Sequence, residues 1–172
     1  MNPKPTKQVL LIVWHSRTGA ARQLAQAALE GARYVMHELD AEDRLEVILR
    51  AAADASAGDV LEAGAYLFCA PENLGSLSGA MKEFFDRNYY GVLDQISGRP
   101  YALAISAGSD GSGAVRQAER ICTGWRLRAA APACIVNTDA QTPQAILAEK
   151  TLSEAQREPA RTLGGTLAAL LV

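Results

Sequence analysis

Three short segments of this 172-residue chain concentrate residues able to bind an anion or a flat polar ligand. The first is His15-Ser16-Arg17-Thr18-Gly19-Ala20-Ala21, which follows the apolar run Gln8–Trp14 and leads into a stretch with helical spacing. A helix entered this way leaves its first backbone N–H groups without intrahelical partners, and its macrodipole makes that end attractive to an anion. Ser16 and Thr18 add hydroxyl donors, Arg17 adds charge, and Gly19 lets the backbone approach a ligand closely. The segment reads as a phosphate seat, although an ordinary helix-capping turn uses the same residue types. It has neither the Gly-x-x-x-x-Gly-Lys of a nucleoside-triphosphate loop nor the three-glycine dinucleotide fingerprint, which argues against an ATPase and against a dinucleotide-binding Rossmann domain.

The second segment is Pro71-Glu72-Asn73-Leu74-Gly75-Ser76, and the third runs from Ala107 through Gly108, Ser109, Asp110 and Gly111 to Gly113. Each follows an apolar run, as the first does. His15 and His37 have no Ser or Cys partner at a recognisable spacing and read as structural. Cys69 lies inside an apolar run, where it reads as a small buried hydrophobe.

The elements that must position these segments follow from the apolar pattern. Strands are expected at Gln8–Trp14, Leu45–Leu49, Gly64–Ala70, Pro100–Ser106 and Ala133–Val136, the third ending where Pro71 removes a backbone donor. Helices are expected over Ala20–Met36, briefly within 52–64, from the N-cap Ser78 through Asn88 with Tyr89 and Tyr90 after it, and over Ala114–Trp125. A last helix carries Leu163, Leu167 and Leu170 on one face, with Pro159 either in its first turn or kinking it. Lys82 and Asp86 stand at a spacing that supports an ion pair. Strands alternating with helices give an α/β domain, a parallel sheet covered on both faces with right-handed crossovers, spanning 1–172 as a single unit. With strands one, three and four side by side, all three segments emerge at one sheet edge, where such sheets bind ligands.

Composition narrows the function class. Seventeen Lys plus Arg against nineteen Asp plus Glu leave a net charge of -2, with no run of either sign to track a phosphate backbone, so nucleic acid is not an expected partner. The apolar part of the N-terminal stretch is too short for a membrane span, and no export signal is read there. Cys69, Cys122 and Cys134 lack the spacing of a zinc site or a disulfide framework, which suits a reducing cytoplasm and no metal.

Ser16-Arg17-Thr18-Gly19 after a strand resembles the FMN phosphate loop of flavodoxins, written Ser/Thr-x-Thr-Gly-x-Thr. Pro71-Glu72-Asn73-x-Gly75-Ser76, followed by Met81-Lys82 and Asp86, resembles the flavin-contacting segment of NAD(P)H-dependent FMN and quinone reductases of the flavodoxin-like superfamily. The likeness covers Gln8 to Val136. It implies a flavodoxin-like three-layer sandwich with a five-stranded parallel sheet in the order 2-1-3-4-5, and FMN as cofactor. Ser16, Arg17, Thr18, Gly19, Ala20 and Ala21 would then hold the phosphate, Pro71 to Ser76 would line the ring, and Ala107 to Gly113 would close its far side. Glu72 would stand beside the ring, or else be a solvated loop carboxylate. Ala21 departs from the pattern by replacing its last hydroxyl.

Electron-carrier flavodoxins are strongly acidic and sandwich the ring between loop aromatics. This chain is nearly neutral, and neither Pro71–Ser76 nor Ala107–Gly113 contains an aromatic residue. The expected function is therefore NAD(P)H-dependent reduction of quinones or similar flat acceptors. The alternatives are a one-electron carrier serving a redox partner protein and a degenerate domain without cofactor. Tyr90 and Trp125 are candidates to cover the ring. The resemblance also implies a homodimer or homotetramer, with Phe84, Phe85, Tyr89 and Tyr90 as a candidate contact surface.

Overall fold

The apolar runs are buried on both faces, as their continuity requires, in a computed structural model that describes residues 7–172. The expected lack of an export signal in residues 1–6 lies outside the described residues. In chain order the strands are β1 (Gln8–Trp14), β2 (Leu45–Ala51), β3 (Ala65–Asn73), β4 (Ser76–Leu77), β5 (Pro100–Ala107), β6 (Arg128–Ala129) and β7 (Cys134–Asn137). The helices are α1 (Ala20–Glu38), α2 (Ala57–Glu62), α3 (Gly79–Val92), α4 (Ser112–Gly124), α5 (Pro143–Leu147) and α6 (Glu154–Ala169).

Parallel pairing runs β2-β1-β3-β5, and both β6 and β7 pair with β5 on its other side. The expected order therefore holds, with two short strands in the fifth position. Pro132 lies between them and has no N–H to offer the ladder. Alternation along β1 sends Val9, Leu11 and Val13 into one core and Leu10 and Ile12 into the other. The first core is aromatic, with Tyr66, Phe68, Phe84, Phe85 and Trp125 packing under α3 and α4. The second is built from Ala and Leu of α1 and α6.

Several boundaries differ from expectation. β3 continues through Pro71 to Asn73, because Pro71 loses only its own donor while its carbonyl accepts from Ser78 N–H at 3.1 Å. α3 includes Tyr89 and Tyr90 and ends at Val92. Pro159 lies inside α6, which starts earlier with a capping box between Ser153 and Gln156. β4, β6 and α5 have no counterpart in the sequence reading. None of the helices among the described residues is long and apolar enough to cross a membrane.

Candidate functional site

Because β1, β3 and β5 pair in parallel, Trp14 with Cys69 and Cys69 with Ala104, their loops leave from the same end of the sheet, those of β3 and β5 a few residues beyond that of β1. A cavity of about 510 Å³ opens there, within the range of small-molecule sites. The first loop lines it with Ser16, Arg17, Thr18 and Ala20, the second with Pro71, Glu72 and Asn73, and the third with Ala107 and Gly108.

Two helices begin at this edge through a glycine in the left-handed region, Gly19 (φ 96°) before α1 and Gly111 (φ 99°) before α4. Neither helix has a capping side chain of its own. At α4 the Glu72 carboxylate fills that role, accepting from Gly111 N–H at 2.9 Å and Ala114 N–H at 3.0 Å. Glu72 is thus neither a free loop carboxylate nor a group aimed at a ring. At α1 no carboxylate among the described residues plays this part. Ser16 Oγ accepts from Gly19 N–H at 3.0 Å, and the amides of the first helical turn face the end of the loop as in other helix N-termini. Gly19 itself borders an adjoining groove shared with Trp14, Arg17, Arg22, Leu147 and Glu149, while Ala21 is buried within α1.

Residues Glu72 and Asn73 pair with Leu77 and Ser76, making a hairpin whose two central residues, Leu74 (φ 51°) and Gly75 (φ 71°), both have positive φ, as in type I′ turns. Leu74, Gly75 and Ser76 form its exposed tip and do not line the cavity. In the third loop Ser109 and Asp110 are exposed, with Asp110 Oδ2 accepting from the Ser112 hydroxyl at 2.7 Å. Gly111 and Gly113 serve the junction with α4 instead of the cavity wall.

His15 Nδ1 lies 2.9 Å from the fully buried Ser78 hydroxyl, at the start of α3. Ser78 is the N-cap residue but makes no side-chain cap bond. Burial of His15, with the nearby Arg17 charge second, lowers its pKa from the ordinary 6.5. His37 pairs with Glu42 at 3.1 Å on the surface, and Lys82 with Asp86 at 2.7 Å. The three cysteines are free and buried, and burial pushes the Cys69 thiol up.

Sequence reasoning missed part of the cavity wall. Ser106, Thr138 and Ala140 contribute, and so do Ile146, Leu147 and Lys150 of the segment between β7 and α6. That segment was uninformative locally: it carries no strong apolar period, and only the fold returns it to the edge of β1.

Among the described residues, no aromatic side chain lines the cavity. Trp125 is a core residue, 5.1 Å from Phe85 between ring centroids, because α4 turns it under the sheet. Phe84 and Phe85 are buried with it and are not a contact surface. Tyr90 is exposed but stands about three turns, roughly 16 Å, along α3 from its start at the cavity edge.

Residues 8–142 match the family model for NADPH-dependent FMN reductase. A flavodoxin of Aquifex aeolicus (strain VF5) is 31% identical over 104 residues, 60% of this chain, and the match spans about half (52%) of that relative's length. Among solved structures, a flavodoxin from the domain Archaea superposes with a TM-score of 0.73 at 14% identity, covering 95% of this chain and 99% of the other. A WrbA-like flavodoxin from Agrobacterium tumefaciens gives 0.70 at 16% identity, covering 96% and 98%.

Proposed function

Since the chain belongs to the NADPH-dependent FMN reductase family and has the flavodoxin-like fold of an FMN-binding protein, we propose that it is an NAD(P)H-dependent oxidoreductase that passes two electrons to a quinone or similar flat acceptor. The observation that carries this reading is a cavity at the strand edge with an uncapped helix N-terminus on its wall and no aromatic residue among the described residues that line it.

The residues present fit FMN. The first-turn amides of α1, with the Ser16 and Thr18 hydroxyls, suit a phosphate, whereas the equivalent end of α4 is already taken by Glu72. When bound, FMN supplies the hydride chemistry itself. This chain's part is to hold and orient. Ser16, Arg17, Thr18, Gly19 and Ala20 make the phosphate seat, and Pro71, Asn73, Ala107 and Gly108 line the ring. Glu72 locks the second loop against α4. Ile146 and Leu147, both largely exposed, add apolar surface to one wall. Without an aromatic lid, a nicotinamide and then the acceptor can stack in turn at the short distance that hydride transfer requires.

A homodimer or homotetramer in the cytoplasm belongs to the same reading, and the Tyr89–Tyr90 pair, its rings tilted at 47°, is the aromatic surface on α3 that it would use. The second reading, a one-electron carrier, draws on the relative named flavodoxin. Anaerobic titration separates them. NADPH or NADH bleaches the flavin of the FMN-loaded protein in a single two-electron step and a quinone restores the colour. Negligible reduction by either nucleotide favours the carrier.

A further inference from the structure

The family match stops at residue 142, yet the chain beyond it returns to the phosphate loop. Lys150 N–H donates to the Thr18 carbonyl at 2.7 Å. Gln23, one turn into α1, donates through Nε2 to the Gly19 carbonyl at 3.1 Å and the Lys150 carbonyl at 2.6 Å, and its Oε1 accepts from Leu152 N–H at 2.9 Å. Backbone and side chain together fasten this segment to the loop that begins α1.

The fastening fixes a charge. Lys150 Nζ donates to the carbonyls of Ala145 at 2.7 Å, Ile146 at 3.1 Å and Ala148 at 2.5 Å, which uses all three ammonium protons. Lys150 lines the same cavity as Ser16, Arg17 and Thr18. Arg17 is exposed, so its charge is largely screened by solvent, and in the adjoining groove Glu149 opposes Arg17 and Arg22. Lys150 is half-buried and held by three carbonyls, so its charge is screened less by solvent than that of Arg17. With its donors spent on carbonyls, it attracts an anion through its field.

We propose that Lys150 is the C-terminal member of the FMN phosphate seat, a fixed cation that selects the phosphorylated flavin and offsets the hydroxyl missing at Ala21. This rests on the FMN reading above. Arginine conserves the charge at this position, whereas methionine keeps the apolar stem and removes it.

The test compares FMN with riboflavin, by quenching of flavin fluorescence, in the wild-type protein and in the Lys150→Met and Lys150→Arg variants. Lys150→Met is expected to weaken FMN about ten-fold, to leave riboflavin within about two-fold, and to lose most of that difference as salt is raised to about 1 M. Lys150→Arg is expected to bind FMN within about three-fold of wild type. Equal weakening of FMN and riboflavin in Lys150→Met would show that the lysine only holds α5 in place, and no weakening would show that its field does not reach the phosphate. Either result overturns the proposal while leaving the cofactor reading intact. Wild-type protein that binds neither flavin overturns both.

Discussion

A Cβ on Gly113 would stand 2.0 Å from the carbonyl oxygen of Gly75, so the tip of the second loop and the first turn of α4 meet backbone to backbone. The Glu72 carboxylate closes the same junction from the other strand of the hairpin, bonding the amides on either side of Gly113. Gln117 adds a third tie, its Oε1 accepting from Leu77 N–H at 2.7 Å. The second and third loops are therefore one unit, held independently of any ligand.

Loosening that unit should be visible in the FMN-free protein. Glu72→Ala removes two charge-assisted hydrogen bonds at a helix end and is expected to cost about 1–2 kcal/mol, read as a lower urea midpoint. Gly113→Ala meets backbone and is expected to cost about 1–3 kcal/mol. An unchanged midpoint for Glu72→Ala would mean that water caps α4 as well as the carboxylate does.

The hairpin tip offers the opposite sign. Leu74 holds φ at 51° with its side chain fully in solvent, so it bears left-handed strain without compensating burial. Asn tolerates this region and suits the first central position of a type I′ turn. Leu74→Asn is expected to raise stability by about 1 kcal/mol in chemical denaturation. A loss of stability would indicate that Leu74 is covered in solution.

At the phosphate seat, Thr18→Ala is expected to weaken FMN by about 10- to 150-fold, the value of one hydrogen bond to a charged group, while riboflavin binding barely changes. Isothermal titration with both flavins checks this. Equal losses would move Thr18 from phosphate recognition to general folding. The wild-type protein should also gain about 2.7 kcal/mol of stability at a hundred-fold excess of FMN over its dissociation constant, seen as a rise in Tm.

His15 sets a pH dependence. Its folded pKa lies below the ordinary 6.5, so the unfolded chain takes up the proton first. Its contribution to stability is fully present above pH 6.5 and is lost as pH falls below that value toward the folded pKa. His15→Gln should flatten the stability profile in this window, measured by denaturant midpoints at several pH values. A slope unchanged by the substitution would assign the acid sensitivity to other groups.

How far the sequence reaches can be judged from particular residues. The runs Gln8–Trp14 and Pro100–Ala107 declare buried strands by local composition, and Ser16-Arg17-Thr18-Gly19 declares a helix entrance by the residue types alone. Fold class was legible from these, because strand burial and helix spacing are properties of neighbours in the chain, whereas the strand order followed from the resemblance to flavodoxins. Glu72 was not legible: whether its carboxylate meets solvent, a ligand or a helix end depends on Gly111, 39 residues away. Trp125 and Tyr90 are candidates from sequence to cover the ring or build a subunit contact, yet packing after α4 buries one in the core and helix length carries the other away from the edge. Lys150 depends on Thr18 and Gln23 across the whole sheet. The chain's local pattern determined which elements form, and the resemblance of its loops to those of flavodoxins indicated how the strands are ordered. Tertiary packing alone decided which helix end stays free for an anion and which distant charge stands beside it, because both depend on side chains brought together only after the strands have paired.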